Sequence, residues 1–165
     1  MRQVLKQSCL LEQAPPRIKH LLVSGEVKTM SEMMRRSHEL RDDPAVHYNC
    51  AQGVFIPFAE KMGLTKEQAN AITQNFGAGM RAGMTCGAIT GGLMVLGLYG
   101  VGEPRDAVEF IHRVSDLHEG RTQCKELLAA EVKSADQKKP HCDAMVYEAV
   151  QAAEDMLRER GITVG

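Results

Sequence analysis

"PHCDAMVYEAVQAAEDMLRER", Pro140 to Arg160, carries apolar side chains at Met145, Val146, Ala149, Val150, Ala153, Met156 and Leu157. Steps of three and four residues put them on one side of a helix that turns every 3.6 residues. Such a stripe needs other elements to cover it, so the segment predicts a long helix seated in a helical core. No stretch of the chain shows the alternation of β-branched or aromatic residues with polar ones that marks half-buried strands. The reading is therefore all-α: a compact single-domain bundle of about five to seven helices.

Working outward, "SADQKKP", Ser134 to Pro140, is a polar connector, and before it a short helix carries Cys124, Leu127 and Leu128. Gly120 separates that helix from one opened by "EPRD", Glu103 to Asp106, whose stripe is Phe110, Ile111, Val114 and Leu117. "TCGAITGGLMVLGLYG", Thr85 to Gly100, reads as a helix from about Cys86 to Tyr99 with Gly100 as its stop. The glycine-rich "GAGMRAG", Gly77 to Gly83, is the loop before it. "TKEQ", Thr65 to Gln68, is a capping box opening a helix to about Phe76. Asp43 and Pro44 are expected as N-cap and first residue of a helix running towards Met62, with Gly63 as its stop. Val46, Cys50 and Val54 would share a face of that helix, and Pro57 should kink it or end it early. Ser31 caps a helix reaching about Arg41. Residues 1–29, with a Pro-Pro pair and the polar turn "SGEVK", lack an amphipathic period. They are expected to be a peripheral or flexible extension to a helical domain at 30–165.

A chain of 165 residues has room for one core. A formal net charge of −1, with no basic stripe, argues against a nucleic-acid binder. The longest strongly apolar run, Ala88 to Tyr99, falls short of the roughly 20 residues that cross a bilayer. "MRQVLKQSCLLEQAPPRIKH", at the start, lacks the apolar run and small-residue cleavage site of a secretory signal. A cytoplasmic location is the expectation, with no membrane span. Cysteines in that setting are thiols, metal ligands or redox pairs rather than structural staples.

Setting aside Cys9 in the extension, the other four cysteines share a pattern. Cys50 lies four residues from Val46 and Val54; Cys86 precedes Ile89 and Leu93; Cys124 precedes Leu127 and Leu128; Cys142 precedes Met145 and Val146. Residues three and four apart share a helix face, so each of four helices should turn one thiol inward. Plain burial is the ordinary explanation, because free cysteine behaves as a small hydrophobe. No CxxC is present to mark a local zinc or thioredoxin-type site. Two features point beyond packing. Cys86, Cys124 and Cys142 fall in or near the first turn of their helices, where partial positive charge favours thiolate. Glycines 87, 91, 92 and 97 strip side chains from one helix, and each costs about 1 kcal/mol against alanine, which calls for a packing or ligand reason.

Cys50 in "YNCAQGV", "CGAITG" at Cys86 to Gly91, Cys124 in "QCKELL" and Cys142 opening the last helix resemble the C-GCAxxG-C-C family of redox-active proteins. "FGAGM" before the second cysteine strengthens the match, which covers about Asp43 to Leu157. The resemblance implies a small helical protein whose functional residues here are Cys50, Cys86, Cys124 and Cys142, acting through an iron–sulfur cluster or through cysteine redox chemistry. Exported relatives carry a twin-arginine signal, whereas the arginine pair of "MRRSHE", Met34 to Glu39, is followed by no apolar run. Covalent haem is not expected, because there is no CxxCH.

Four converging thiolates would hold a [2Fe–2S] cluster, which takes four cysteines and moves one electron. Backbone N–H groups of Gly79 to Gly83 and of the turn after Cys86 would tune it. The metal-free alternative is two dithiol/disulfide pairs that relay electrons by thiol exchange. A closed structural zinc site would add stability and carry no electrons. The non-redox alternative is a helical interaction module with merely packed cysteines. An unidentified redox protein would be the partner, and the glycine-faced helix and ten methionines would suit a homodimer. His47, one turn before Cys50, and His141, beside Cys142, would lower a thiolate pKa or replace a ligand, although a surface position is the ordinary reading of both. Arg81 would bring positive charge to a thiolate or simply be solvated. His112 and His118 are a poor pair at i and i+6. No GxSxG, Walker A or Rossmann fingerprint is present.

Overall fold

The computed structural model describes residues 30–164. The extension 1–29 and Cys9 lie outside the described residues. Within them are seven α-helices: α1 (Glu32–Arg41), α2 (Cys50–Lys61), α3 (Lys66–Thr73), α4 (Gly87–Leu98), α5 (Pro104–Ser115), α6 (Cys124–Glu131) and α7 (Lys138–Glu159). No strand occurs among these residues, only an isolated antiparallel bridge between Thr85 and Gln123. The architecture is all-α.

Local signals set most boundaries. The Ser31 hydroxyl caps α1 by accepting from Met34 N, and the Thr65–Gln68 capping box opens α3. Pro104 takes the first turn of α5. Gly63, Gly100 and Gly120 stand at positive φ after α2, α4 and the turn that follows α5. α7 buries Met145, Val146, Ala149, Val150, Ala153, Met156 and Leu157, the whole predicted stripe. It packs against α1, α2, α4 and α5, and α2 and α4 form the closest pair in the bundle.

That closeness has a cause. A Cβ on Gly91 would lie 2.9 Å from the Ala51 carbonyl oxygen and 3.1 Å from Ala51 Cα, so only hydrogen lets the two backbones meet. Gly97, expected on the same stripped face, instead meets open space. The face is therefore narrower than the glycine spacing implied.

Three expectations need correction. α2 starts at Cys50, not at Pro44. Asp43 Oδ1 accepts from Ala45 N and Val46 N and closes a turn, after which the chain runs without regular structure to Asn49. Asn49 and Gln52 then form a reciprocal capping box that satisfies two orphan N–H groups. Val46 is 46% exposed and shares no helix face with Cys50. Second, Pro57 does not end α2, which continues to Lys61. The proline cannot donate to the Gly53 carbonyl, and the buried Ser37 hydroxyl of α1 does so instead, at 2.8 Å. Third, Leu117 lies beyond α5 in a 3₁₀ turn and is 54% exposed, while Phe110 and Val114 are buried.

Candidate redox site

The four cysteines line one narrow, tightly closed cleft, walled also by Ala78, Leu127, Leu128, Met145 and His141. Each arrives from a separate helix start. Cys50 is the first residue of α2, whose N-cap Asn49 also donates through Nδ2 to the Thr73 and Gln74 carbonyls. Cys86 is the N-cap of α4 and Cys124 the first residue of α6. The bridge joins these two: Cys86 N donates to Thr122 O at 2.8 Å and Cys124 N to Met84 O at 2.7 Å. Side chains alternate along extended backbone, so residues one step beyond the paired Thr85 and Gln123 lie on the same face, diagonally across the ribbon. Cys142 lies further into its helix, in the second turn of α7.

Cys50 and Cys142 are neighbours in this cleft, close enough for each to act on the ionisation of the other. The neighbouring Cys50 thiol is the main reason Cys142 is lowered to about 7; the Arg41 and Lys138 charges help, against burial and Asp143. The same interaction, with burial, pushes Cys50 well up. Burial lifts Cys86 to about 11, opposed by the nearby backbone N–H groups of Ala88 and Ile89 at the start of α4. Burial also raises Cys124, followed by the neighbouring charge on Cys142. A helix N-terminus is therefore not enough to make a thiolate here. Desolvation outweighs the nearby backbone N–H groups at Cys86, and Cys142 is the thiol whose ionisation is lowered toward neutral pH.

Sequence reasoning missed Arg41. Its side chain is 3% exposed and bonds Asp143 from Nε at 2.7 Å, while another nitrogen donates to the Tyr48 carbonyl. This buried cation stands behind the Cys50–Cys142 pair, and nothing local in "HELRDD" announces it. His141 is on the cleft and largely buried, with Nδ1 3.4 Å from Glu131 Oε2, so the surface reading fails for it. His47 is exposed in the irregular stretch before α2 and is not one helical turn from Cys50. Arg81 is exposed and donates to the Gln74 carbonyl. The glycine-rich loop reaches the cleft through Ala78, which opens a left-handed turn with Gly79, Met80 and Arg81. His118 pairs not with His112 but with Glu131 and Glu148, 2.6 Å from each of its ring nitrogens.

Among the described residues, no three Cys, His, Asp or Glu side chains are grouped to hold a metal ion as they stand. No helix there is long and apolar enough to cross a membrane. No curated protein and no solved structure matches the chain. The family model described as "Putative redox-active protein (C_GCAxxG_C_C)" matches residues 48–156. That span holds all four cleft cysteines and most of the helical core around them, and on it the chain belongs to the C_GCAxxG_C_C family.

Proposed function

We propose that the chain transfers electrons by thiol–disulfide exchange at this cleft, with Cys50 and Cys142 as the reacting pair. One observation carries the reading: Cys50 and Cys142 are neighbours in the shared cleft, and their interaction favours the thiolate form of Cys142. The thiolate is the nucleophile in such exchange. Cys142 attacks one sulfur of a partner's disulfide; a new S–S bond forms as the partner's bond breaks, and the first partner thiolate leaves. Cys50, giving up its proton to that thiolate, then attacks Cys142 Sγ and closes the Cys50–Cys142 disulfide as the second partner thiolate departs. The partner gains two electrons and the protein loses two. A dithiol reductant returns the pair to its starting state. The partner is thus a protein or small molecule carrying an accessible disulfide. Cys86 and Cys124, joined through the bridge, would be the second pair of such a relay.

Titration of the reduced protein with glutathione disulfide tests this. Two thiols should be lost and a Cys50–Cys142 linked peptide should appear, both reversed by dithiothreitol. Folded protein that never forms this linkage overturns the reading.

A second reading, a [2Fe–2S] cluster on Cys50, Cys86, Cys124 and Cys142, is favoured by their common cleft. It needs the four sulfurs to draw together, since no three of these side chains now form a ligand group. When bound, such a cluster supplies one-electron transfer. Iron and sulfide analysis with a visible spectrum on anaerobically purified protein separates the two: a colourless, iron-free, folded protein leaves the dithiol chemistry.

A further inference from the structure

α6 has little to hold it in place. It is eight residues long, and Leu127 is its fully buried side chain. At its start Cys124 is tied to Met84 through the backbone. At its end Glu131 reaches His118, which stands in the turn after α5 and has a side chain 1% exposed. His118 Nδ1 is 2.6 Å from Glu131 Oε1, and His118 Nε2 is 2.6 Å from Glu148 Oε2 on α7. A neutral imidazole has one N–H, whereas carboxylates only accept, so two such contacts require the doubly protonated ring. The other groups near His118 are His141 of α7, whose ring centre is 6.2 Å away, and Arg121, which bonds the His118 carbonyl. Glu131 also faces His141 Nδ1, on the wall of the cleft.

We propose that Glu131, His118 and Glu148 are positioning residues of the site: they clamp the end of α6 to α7 and thereby set how far Cys124 stands from Cys142. The functional weight of this inference rests on the dithiol reading, but the spacing itself does not. Neutralising His118 leaves one carboxylate facing a ring lone pair, which releases α6 while Cys50 and Cys142, on α2 and α7, stay neighbours.

The test uses the full chain carrying Cys9→Ser, Cys50→Ser and Cys86→Ser, so that Cys124 and Cys142 are the remaining thiols. Bridging by dibromobimane, which links only neighbouring thiols, should fall at least threefold when His118→Gln or Glu131→Gln is added. In the chain with all cysteines present, Cys50–Cys142 disulfide formation should stay within twofold of the unsubstituted protein. Unchanged bridging in folded variants overturns the clamp, and so does an equal loss in both measurements, which would mean general loosening. A missing Cys50–Cys142 disulfide in the unsubstituted protein sinks the dithiol reading alone and leaves the bridging result standing. Nitrogen-15 NMR of the unsubstituted protein needs no variant to fold: both His118 ring nitrogens should carry protons at pH 7, and a neutral ring overturns the clamp.

Discussion

Arg41 and Asp143 meet at 2.6 Å with the arginine side chain 3% exposed, and Asp143 is the next residue after Cys142. The pair fixes a cation beside the thiolate from a helix far away in sequence. Replacing Arg41 with Gln removes that charge and leaves the Asp143 carboxylate beside Cys142 without its arginine partner. At neutral pH, Cys142 should then alkylate roughly 3- to 10-fold more slowly, as loss of a nearby opposite charge implies. In the unsubstituted protein, the rate of Cys142 modification should rise with an inflection near 7, well before Cys86, whose own value is about 11. Mass mapping of iodoacetamide adducts across pH reads both; first modification at Cys86 would contradict the assignment.

Ser37 and Pro57 should be coupled although they do not bond each other. Ser37→Ala leaves the Gly53 carbonyl buried without its donor and should cost about 1–3 kcal/mol. In a Pro57→Ala background the new N–H of residue 57 can serve that carbonyl, so the same change should cost less. A double-mutant cycle by urea unfolding measures the difference. Equal losses in both backgrounds would refute the substitution of one donor for the other.

Two glycines of α4 should respond in opposite directions. Gly91→Ala forces a methyl against Ala51 backbone and should destabilise by about 1–3 kcal/mol. Gly97→Ala meets nothing within 4 Å and should stabilise by roughly 0.5–1 kcal/mol through helix propensity. Chemical unfolding of the two variants is enough to decide it.

His118 adds a pH dependence of defined sign. The Glu148 hydrogen bond, followed by the Glu131 bond and opposed by burial, raises it from the ordinary 6.5. A group raised on folding contributes its full stability below its unfolded value and loses it as pH climbs through its folded value. The stability gap between the unsubstituted protein and His118→Gln should therefore be widest below pH 6.5 and shrink above it. Taking the difference removes the opposite contribution of Cys142, which is lowered on folding and common to both proteins. Unfolding midpoints between pH 6 and 9 measure the gap; one that widens with pH contradicts the imidazolium.

What sequence alone determined was the part governed by neighbours. The α7 stripe, the Thr65–Gln68 box, the Ser31 cap and the glycine stops are patterns of a few residues, and their energetics close within a turn or two. That Cys50, Cys86, Cys124 and Cys142 belong together was likewise suggested by the family pattern, and helix starts near them were legible at Cys86 and Cys124. The start of α2 was not. Asp43-Pro44 was read as its N-terminus, whereas the cap is Asn49, which also reaches the Thr73 and Gln74 carbonyls. Which cysteines are neighbours, and that Arg41 stands behind them while Glu131 and Glu148 share His118, were decided only by tertiary structure. Those contacts join residues far apart in order, and burial then decides which thiol ionises. No periodicity along a chain encodes a distance across it.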